Sequence, residues 1–349
     1  MPTQVLETIR QSLPALFPDE ITDLKRDFER EFNHKTSLAD ALHQVIRKER
    51  QVDEYCRHCG SKHIVKNGKT PKLRQKYRCV DCGKSYSDTQ DSIVAFTKKP
   101  YHVWETFIRC MMQGISLRET AVWSGISTTT AFHWRHKIME TLKRYDQSRT
   151  LRERVQIDET YFLINLKGTR PLTRKAKKRQ VSAQKRGISN EHVCVLTAVD
   201  AQDNIFIEIV DQGNPTAHNI IKSLNNRIQP NTTMITDSRP AYKVVAKHFD
   251  LTLEQVPSGF HTKGIFNLGE VNELHSSMKN WFTQFKGVST KHLSRYLAWF
   301  RFTKLLHYQK PLEQHHRTTM NHALREQLTF LVESICKTPF PVDINKAFS

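Results

Sequence analysis

The sequence predicts a multidomain protein in which helical and cysteine-rich segments precede a mixed α/β domain. Three observations predict this class. Apolar residues recur at three- and four-residue steps near both ends of the chain, as they do along amphipathic helices. Two Cys-x-x-Cys-Gly motifs lie close together in the first quarter of the chain. From about residue 152 onward, short apolar runs typical of buried strands alternate with helical patterns.

The composition predicts a polyanionic partner. The 349 residues include 54 Lys plus Arg against 35 Asp plus Glu, a formal net charge of +19. Nucleic acid is the usual partner of so basic a chain. No apolar run approaches the roughly 20 residues that span a bilayer, and the first residues lack the layout of a signal peptide. We therefore expect a cytoplasmic protein without a membrane partner.

Both ends of the chain are predicted to be helical. In residues 1–50 the apolar positions that follow helical spacing are Leu6, Ile9, Leu13, Leu16, Phe28, Phe32, Leu38, Leu42 and Val45. Residues 306–349 continue this spacing at Leu324, Leu328, Leu331 and Ile335. Neither segment carries a chemical motif, so we expect them to serve packing or assembly.

A zinc ribbon is predicted for residues 51–92. Each Cys-x-x-Cys pair is followed by glycine, which permits the turn that brings backbone amides toward the sulfur atoms. Two such knuckles at this separation predict one tetrahedral Zn²⁺ ion held by Cys56, Cys59, Cys79 and Cys82. Four ligands leave no open coordination position, so the role of this ion would be structural. Redox chemistry or two disulfides is the alternative.

A helix-turn-helix that binds DNA is predicted within residues 100–146. A helix that starts at Ser116 is followed by a turn at Gly125 and by a second helix that Ser127 caps. The second helix could face a major groove with Thr128, Thr129, His133, Arg135 and Lys137. An ordinary helical hairpin is the alternative, although the basic charge and the neighbouring ribbon favour DNA binding.

Two apolar stretches each deliver an aspartate to the end of a predicted strand. Residues 155–161 carry Asp158, and residues 234–238 carry Asp237. An isolated buried carboxylate is costly, so such residues form pairs, accept hydrogen bonds or bind a metal. Two of them at strand ends indicate a divalent-metal site of the kind that phosphoryl-transfer enzymes use. Ordinary turns that contain Asp are the alternative.

The α/β domain is predicted to span residues 152–305. Further strands and helices are expected to alternate, with strands at 193–200, 205–210 and 251–256 and helices at 216–227 and 240–249. This order resembles the ribonuclease H-like fold, a mixed sheet flanked by helices.

A basic run interrupts the predicted domain. Residues 167–187 contain no acidic residue and few large apolar ones. We interpret the run as a loop that contacts DNA phosphates through Lys175, Lys177, Lys178 and Arg179. A merely solvated loop is the alternative.

A helix predicted over residues 268–286 supplies candidates for a third metal ligand. Asn272 and Lys279 are seven residues apart and lie on one helix face. Asn offers a neutral carbonyl oxygen that can bind Mg²⁺, whereas Glu270 or Glu273 would be a stronger ligand. Lys279 could hold a phosphate as a point charge. An amphipathic surface helix without a chemical role is the alternative.

Together these motifs resemble one family, the bacterial insertion-sequence transposases with an amino-terminal zinc ribbon and a DDE-type catalytic domain. The resemblance covers roughly residues 50–305. Besides the ribbon and the helix-turn-helix, it rests on the segments Ile157-Asp158-Glu159-Thr160, Thr236-Asp237-Ser238, Val271-Asn272-Glu273-Leu274-His275-Ser276-Ser277-Met278-Lys279 and Lys286-Gly287-Val288-Ser289-Thr290-Lys291. The most similar group within the family uses Asp, Asp and Asn, with Lys seven residues after the Asn.

The resemblance implies a DNA transposase in which Asp158, Asp237 and Asn272 bind Mg²⁺ or Mn²⁺ and Lys279 contacts phosphate. Such an enzyme binds the terminal inverted repeats of a transposon, cleaves a strand and joins the freed end to target DNA. The implied partners are double-stranded DNA and further copies of the chain, in a dimer or larger assembly that brings two ends together. A bacterial, cytoplasmic location is also implied.

The departure from the commoner triad is Asn in place of Glu, and it keeps alternatives open. Glu273 could be the third ligand instead of Asn272. The chain could also be a DNA-binding regulator without catalysis, or a ribonuclease H-like nuclease that cuts but does not join.

Overall fold

The chain divides into two compact units. The computed structural model describes residues 8, 11–35, 54–70, 75–87, 89–95, 97–145, 149–168, 183, 185–257, 259–260, 262–311, 314–326, 334–335 and 337–348. One unit comprises Met1–Gln90 and Val94–Thr106, and the other comprises Asp91–Ile93 and Phe107–Ser349. The cysteine motifs belong to the first unit, and the predicted helix pair and α/β domain belong to the second.

The elements of the first unit are a 3-10 turn at Leu13–Ala15, helix α1 (Pro18–Lys35) and strands β1 (Ile64–Lys69), β2 (Gln75–Cys79) and β3 (Ser85–Ser87). Helix α2 (Tyr101–Met112) contains the boundary between the units. The second unit continues with α3 (Leu117–Trp123), α4 (Thr128–Leu142), β4 (Arg154–Leu163), β5 (His192–Asp200), β6 (Ile205–Gln212), α5 (Ala217–Leu224), β7 (Thr233–Asp237), α6 (Ala241–Phe249), β8 (Thr252–Val256), β9 (Thr262–Lys263), β10 (Phe266–Asn267), α7 (Gly269–Thr283), a 3-10 turn at Thr290–His292, α8 (Leu293–Gln309), α9 (His315–Arg325) and α10 (Ile344–Phe348). None of the described helices is long and apolar enough to cross a membrane.

The first unit is built on a small antiparallel sheet in the order β1-β2-β3. The buried cluster of this sheet consists of two tyrosines and two cysteines, with the rings of Tyr77 and Tyr86 stacked at 5.6 Å and Cys56 and Cys79 beside them. Because so small a sheet buries few apolar side chains, the two buried cysteines make up half of the four buried residues in its cluster.

The second unit contains a five-stranded mixed sheet in the order β6-β5-β4-β7-β8. Strand β4 pairs antiparallel with β5 and parallel with β7, β5 pairs antiparallel with β6, and β7 pairs parallel with β8. This sheet confirms the mixed α/β class that strand and helix alternation predicted. Strand β4 is central and lies between the antiparallel and the parallel part.

Helices cover both faces of this sheet. On one face, Ile220 of α5 and Tyr242 of α6 share a buried cluster with Ile157 of β4. On the other face, Leu274 of α7 and Phe300 of α8 share a cluster with residues of β5 and β6. Burial on both faces explains why the sequence of β5 is a nearly continuous apolar run.

The helices α3 and α4 form a pair joined through Gly125, whose φ of +59° favours glycine. The side chains of Ser116 and Ser127 each accept a backbone N–H from the first turn of their helix. Helix α4 packs on α8, where Arg295 Nε lies 2.6 Å from Glu140 Oε2. This attachment places the pair in the same unit as the sheet, whereas the sequence suggested a separate segment.

The start of α7 is attached to β4 through Gln156, which is 6% exposed. Its Oε1 accepts the N–H groups of Glu270 at 3.0 Å and Val271 at 3.1 Å. Amides in the first turn of a helix have no acceptor within the helix, so Gln156 serves as a cap supplied by the sheet. The two bonds set the position of α7 along β4.

We expect replacement of Gln156 by Leu to lower the free energy of unfolding of the second unit by about 1 to 3 kcal/mol, because the part-buried amide of Glu270 and the buried amide of Val271 lose their acceptor. Urea denaturation measures the change. Gln229→Leu is the matched control, since Gln229 is exposed and its side chain donates to Thr150 at the surface. An equal effect of both substitutions would contradict the capping role of Gln156.

Candidate active site

Asp158 and Asp237 lie on neighbouring parallel strands at equivalent positions. The register between β4 and β7 pairs Gln156 with Ile235, an offset of 79 (235 − 156). The two aspartates are separated by the same offset (237 − 158). Since parallel strands run side by side, the register directs both carboxylates to one place in the sheet. Asp237 is the last residue of β7, as the sequence predicted, but the expectation that Asp158 ends its strand was wrong, because β4 continues to Leu163 through its pairing with β5.

The carboxyl group of Asp158 is difficult to ionise where it lies. Burial and the nearby carboxylates of Glu159 and Asp237 raise its pKa to about 7, although the Glu159 N–H and Arg239 oppose the shift. The Glu159 N–H donates to Asp158 Oδ1 at 2.8 Å, which leaves Oδ2 for another partner. A bound cation would reverse the raised pKa, because it stabilises the charged form. The donor set therefore fits a divalent metal.

His275 of α7 lies next to Asp158. Its Nδ1 is 3.8 Å from Asp158 Oδ2, and its Nε2 is 2.6 Å from Thr197 Oγ1 on β5. The Thr197 hydroxyl in turn donates to the backbone oxygen of Asp158 at 2.9 Å. Burial, with a smaller contribution from Lys279, lowers the pKa of His275 to about 4, so the ring is neutral at pH 7.

The helical positions of the candidate third ligands differ relative to His275. At about 100° per residue, Asn272 and Lys279 lie about 60° and about 40° from His275 on the same side of the helix. Glu273 and Glu270 are about 160° and about 140° away. Glu273 also forms an ion pair with Lys304 of α8 at 2.9 Å. The side of α7 next to Asp158 thus includes Asn272 and Lys279, both exposed, rather than the two glutamates.

A buried ion pair, absent from the sequence predictions, supports the aspartates from the other face of β4. Arg239 Nη1 lies 2.6 Å from Glu159 Oε1, and only 3% of the glutamate side chain is exposed. Arg239 also donates to Tyr161 Oη at 3.4 Å and Asn214 Oδ1 at 2.9 Å. Its backbone N–H donates to Asp237 Oδ1 at 3.2 Å. The sequence signal was a second acidic residue inside an apolar strand, which must face the opposite side and needs a partner there.

The four predicted zinc ligands form one cluster in the first unit. Their sulfur atoms all lie within 4.8 Å of one another. Cys56 Sγ is 3.7 Å from Cys82 Sγ, and Cys59 Sγ is 3.6 Å from Cys79 Sγ. Backbone N–H groups and neighbouring thiols outweigh burial and lower the pKa of Cys56 to about 7. In contrast, burial and the other three thiols raise the pKa of Cys59 to about 12, although the Ser61 amide favours its thiolate. Four sulfurs so close are compatible with a tetrahedral cation such as Zn²⁺.

The residues predicted to face DNA on α4 have different environments. Thr128 and Thr129 are exposed, and His133 and Lys137 are half-buried. Arg135 is only 5% exposed, its guanidinium 5.5 Å from the centre of the Trp299 ring, and it donates to the Ile115 oxygen. The expectation that Arg135 faces a groove was therefore wrong, because the packing of α4 on α8 turns it inward.

The basic residues predicted to contact phosphates from the loop lie outside the described part of the chain. They are Lys175, Lys177, Lys178 and Arg179.

A comparison with solved structures found low-identity similarity to chains of an intasome and of transposase complexes. A chain of the simian T-cell lymphotropic virus intasome in complex with PP2A regulatory subunit B56 gamma is 16% identical, with a TM-score of 0.28, over 60% of this chain and 74% of that one. A chain of a pre-cleavage Mos1 transpososome is 9% identical, with a TM-score of 0.23, over 67% of this chain and 82% of that one. A chain of the Mos1 transposase paired-end complex with the left transposon end is 11% identical, with a TM-score of 0.24, over 64% and 81%. A comparison with curated proteins found no significant match.

The α/β region of the chain is similar to a transposase domain. Residues 150–304 match the family model of the ISXO2-like transposase domain. This stretch of the chain is similar to that family, which confirms the predicted resemblance to insertion-sequence transposases. The match includes Asp158, Asp237 and the whole of α7.

Replacement of Arg239 by Met should lower the free energy of unfolding by about 3 kcal/mol, because it leaves the buried Glu159 carboxylate without its cation. Urea denaturation checks this value. The exposed pair of Lys263 and Glu254, 2.9 Å apart with 53% and 26% of the side chains exposed, provides the control. Lys263→Met should change stability by less than about 1 kcal/mol. A loss for Arg239→Met no larger than that of the control would contradict the assignment.

Proposed function

We propose that the chain is a DNA transposase that cleaves transposon ends and joins them to target DNA in a reaction that depends on Mg²⁺ or Mn²⁺. The observation that carries this proposal is the placement of Asp158 and Asp237 at equivalent positions of adjacent strands within a transposase domain. Paired carboxylates of this kind are the usual ligands of metals in phosphoryl transfer. The proposal includes a ribonuclease H-like fold for the domain that contains this sheet.

Asp158 and Asp237 would hold the divalent ions, since hard cations prefer carboxylate oxygens. When bound, the ions supply activation of the attacking oxygen and neutralisation of the leaving oxygen in an in-line displacement. The raised pKa of Asp158 supports this assignment, because close carboxylates in a buried site are stabilised by a cation. Glu159 would not be a ligand, since Arg239 occupies it on the opposite face of β4.

Asn272 is the proposed third ligand and Lys279 the proposed phosphate contact. Both residues share the side of α7 that contains His275, which lies next to Asp158. Glu273 is engaged by Lys304, so its use as a ligand would require that ion pair to break. A neutral amide leaves the site with one negative charge fewer than three carboxylates would supply.

DNA would be bound by several basic segments. The net charge of +19 favours a polyanion, and the exposed Thr128 and Thr129 at the start of α4 are suited to contact a groove or its phosphates. We propose that α3 and α4 act as the helix-turn-helix and that the cysteine cluster binds a structural Zn²⁺ in a ribbon.

Two transposon ends must meet for transposition, so we propose a dimer or larger assembly.

The central experiment is strand cleavage and joining on a labelled transposon-end duplex with Mg²⁺. We expect joined product from the wild type, and about a hundredfold loss or more in Asp158→Ala, Asp237→Ala and Asn272→Ala, because each substitution removes a ligand of the metal ions that would stabilise charge in the transition state. Glu273→Ala is the matched control on the same helix and should keep most of the activity.

Other outcomes would redirect the proposal. Loss in the two Asp variants and Glu273→Ala, but not in Asn272→Ala, would assign the third ligand to Glu273. Cleavage without joining by the wild type would favour a nuclease. Binding without cleavage at any metal or salt concentration would refute catalysis and favour a DNA-binding regulator, the reading to which Asn272 lends support.

The ribbon is tested by zinc content. Purified protein should contain about one zinc ion per chain by atomic absorption, and Cys79→Ser should lose it, because a four-thiolate site does not tolerate removal of a ligand. Cys110→Ser is the control, since Cys110 is a buried cysteine of α2 outside the cluster. Absence of zinc together with fewer reactive thiols in the wild type would indicate disulfides instead.

A further inference from the structure

His275 has a role that the three proposed ligands leave unassigned. The ring is 8% exposed and lies between β5 and the carboxyl group of Asp158. Its two nitrogen atoms have different surroundings, with Nε2 facing Thr197 and Nδ1 facing Asp158 Oδ2. The hydrogen bonds of Thr197 decide which nitrogen carries the proton.

The Thr197 hydroxyl has one proton and two close neighbours. The backbone oxygen of Asp158, 2.9 Å away, can only accept, so the hydroxyl must donate to it. The contact of 2.6 Å with His275 must then be a hydrogen bond from Nε2–H to Thr197 Oγ1. In a neutral ring this arrangement leaves Nδ1 without a proton and with an available lone pair.

Nδ1 therefore faces Asp158 Oδ2 as one acceptor facing another. The separation of 3.8 Å is too long for a hydrogen bond from a protonated carboxyl group. It is shorter than twice the usual ligand distance of about 2.1 Å, so one cation can bind both atoms. Asp158 Oδ1 already accepts the Glu159 N–H, which makes Oδ2 the available oxygen of this carboxylate.

We propose that His275 Nδ1 is a further ligand of the divalent metal that Asp158 binds. The proposal rests on the proposed function and adds a nitrogen donor to its metal site. Thr197 is then a positioning residue, since its hydroxyl sets the tautomer and orientation of the ring, as partners of metal-bound histidines commonly do.

A nitrogen ligand changes the chemistry of the site. Asn272 supplies no charge, and an imidazole offers a stronger donor than an amide oxygen to a transition metal. Mg²⁺ prefers oxygen ligands, whereas affinity for a site that includes imidazole rises toward later transition metals. The site should therefore bind Mn²⁺ more tightly than Mg²⁺, and the preference should weaken when the imidazole is removed.

Pulsed electron paramagnetic resonance of Mn²⁺ bound to the zinc-loaded full chain tests this ligand directly, without DNA or turnover. We expect spin-echo modulation from a directly bound imidazole nitrogen, with frequencies that change when the histidines are labelled with ¹⁵N. His275→Gln should lose this coupling while retaining Mn²⁺, since its amide can still donate to Thr197. His248→Gln, at an exposed position of α6, should retain the coupling.

The outcomes separate this proposal from the proposed function. Mn²⁺ that is bound through Asp158, as shown by its loss in Asp158→Asn, but gives no nitrogen coupling in the wild type overturns the role of His275 and leaves the metal site intact. Coupling that persists in His275→Gln also overturns it. A wild type that binds no Mn²⁺ overturns the metal site itself. The wild-type spectrum alone can refute the ligand if His275→Gln does not fold.

Discussion

The structure depends on the electrostatic cost of placing carboxylates on the central strands of a sheet. Asp158 lies on β4, which has neighbours on both sides, and the register with β7 brings Asp237 to the equivalent position. Burial, together with repulsion from the carboxylates of Glu159 and Asp237, raises the pKa of Asp158. A site of this kind remains charged only if cations balance it. Arg239 supplies a fixed cation on one face, and a divalent metal would supply the other.

The two-residue period of β4 divides these tasks between the faces of the sheet. Gln156 and Asp158 contact α7, the first by capping its amides and the second through His275. Glu159 points to the opposite face and forms the ion pair with Arg239. Because Arg239 follows Asp237 by two residues and donates its N–H to it, the pair ties β4 to the end of β7. One strand thus aligns α7 on one face and, through the Glu159–Arg239 ion pair on the other face, fixes the end of the neighbouring strand that carries Asp237.

The orientation of helix α7 on β4 decides which of its residues lie near the two aspartates. Val271, Leu274, His275 and Met278 are buried, so the exposed Asn272 and Lys279 lie at the edge of the site. Glu273 instead pairs with Lys304 on α8. This arrangement favours an amide and a lysine near the aspartates over a third carboxylate. A nitrogen donor from His275 would partly offset the missing charge and would make the metal preference of the site differ from that of three carboxylates.

The sequence by itself determined the local elements and the spacings of their chemical groups. Apolar periodicity located the strands of Asp158 and Asp237, and the two Cys-x-x-Cys-Gly motifs located four sulfurs that lie within 4.8 Å of one another. These features depend on neighbours along the chain, and local spacing carries that information.

Only the tertiary structure decided the partners across elements. Periodicity placed Arg135 on a helix but could not show that Trp299 of α8 covers it. The acid at Glu159 was visible, but its cation lies 80 residues away (239 − 159). His275 was visible on its helix, but the tautomer of its ring depends on Thr197 of β5. In each case the burial of one face and the pairing of buried charge depend on which distant element packs there, and the spacing of residues within a single element does not contain that information.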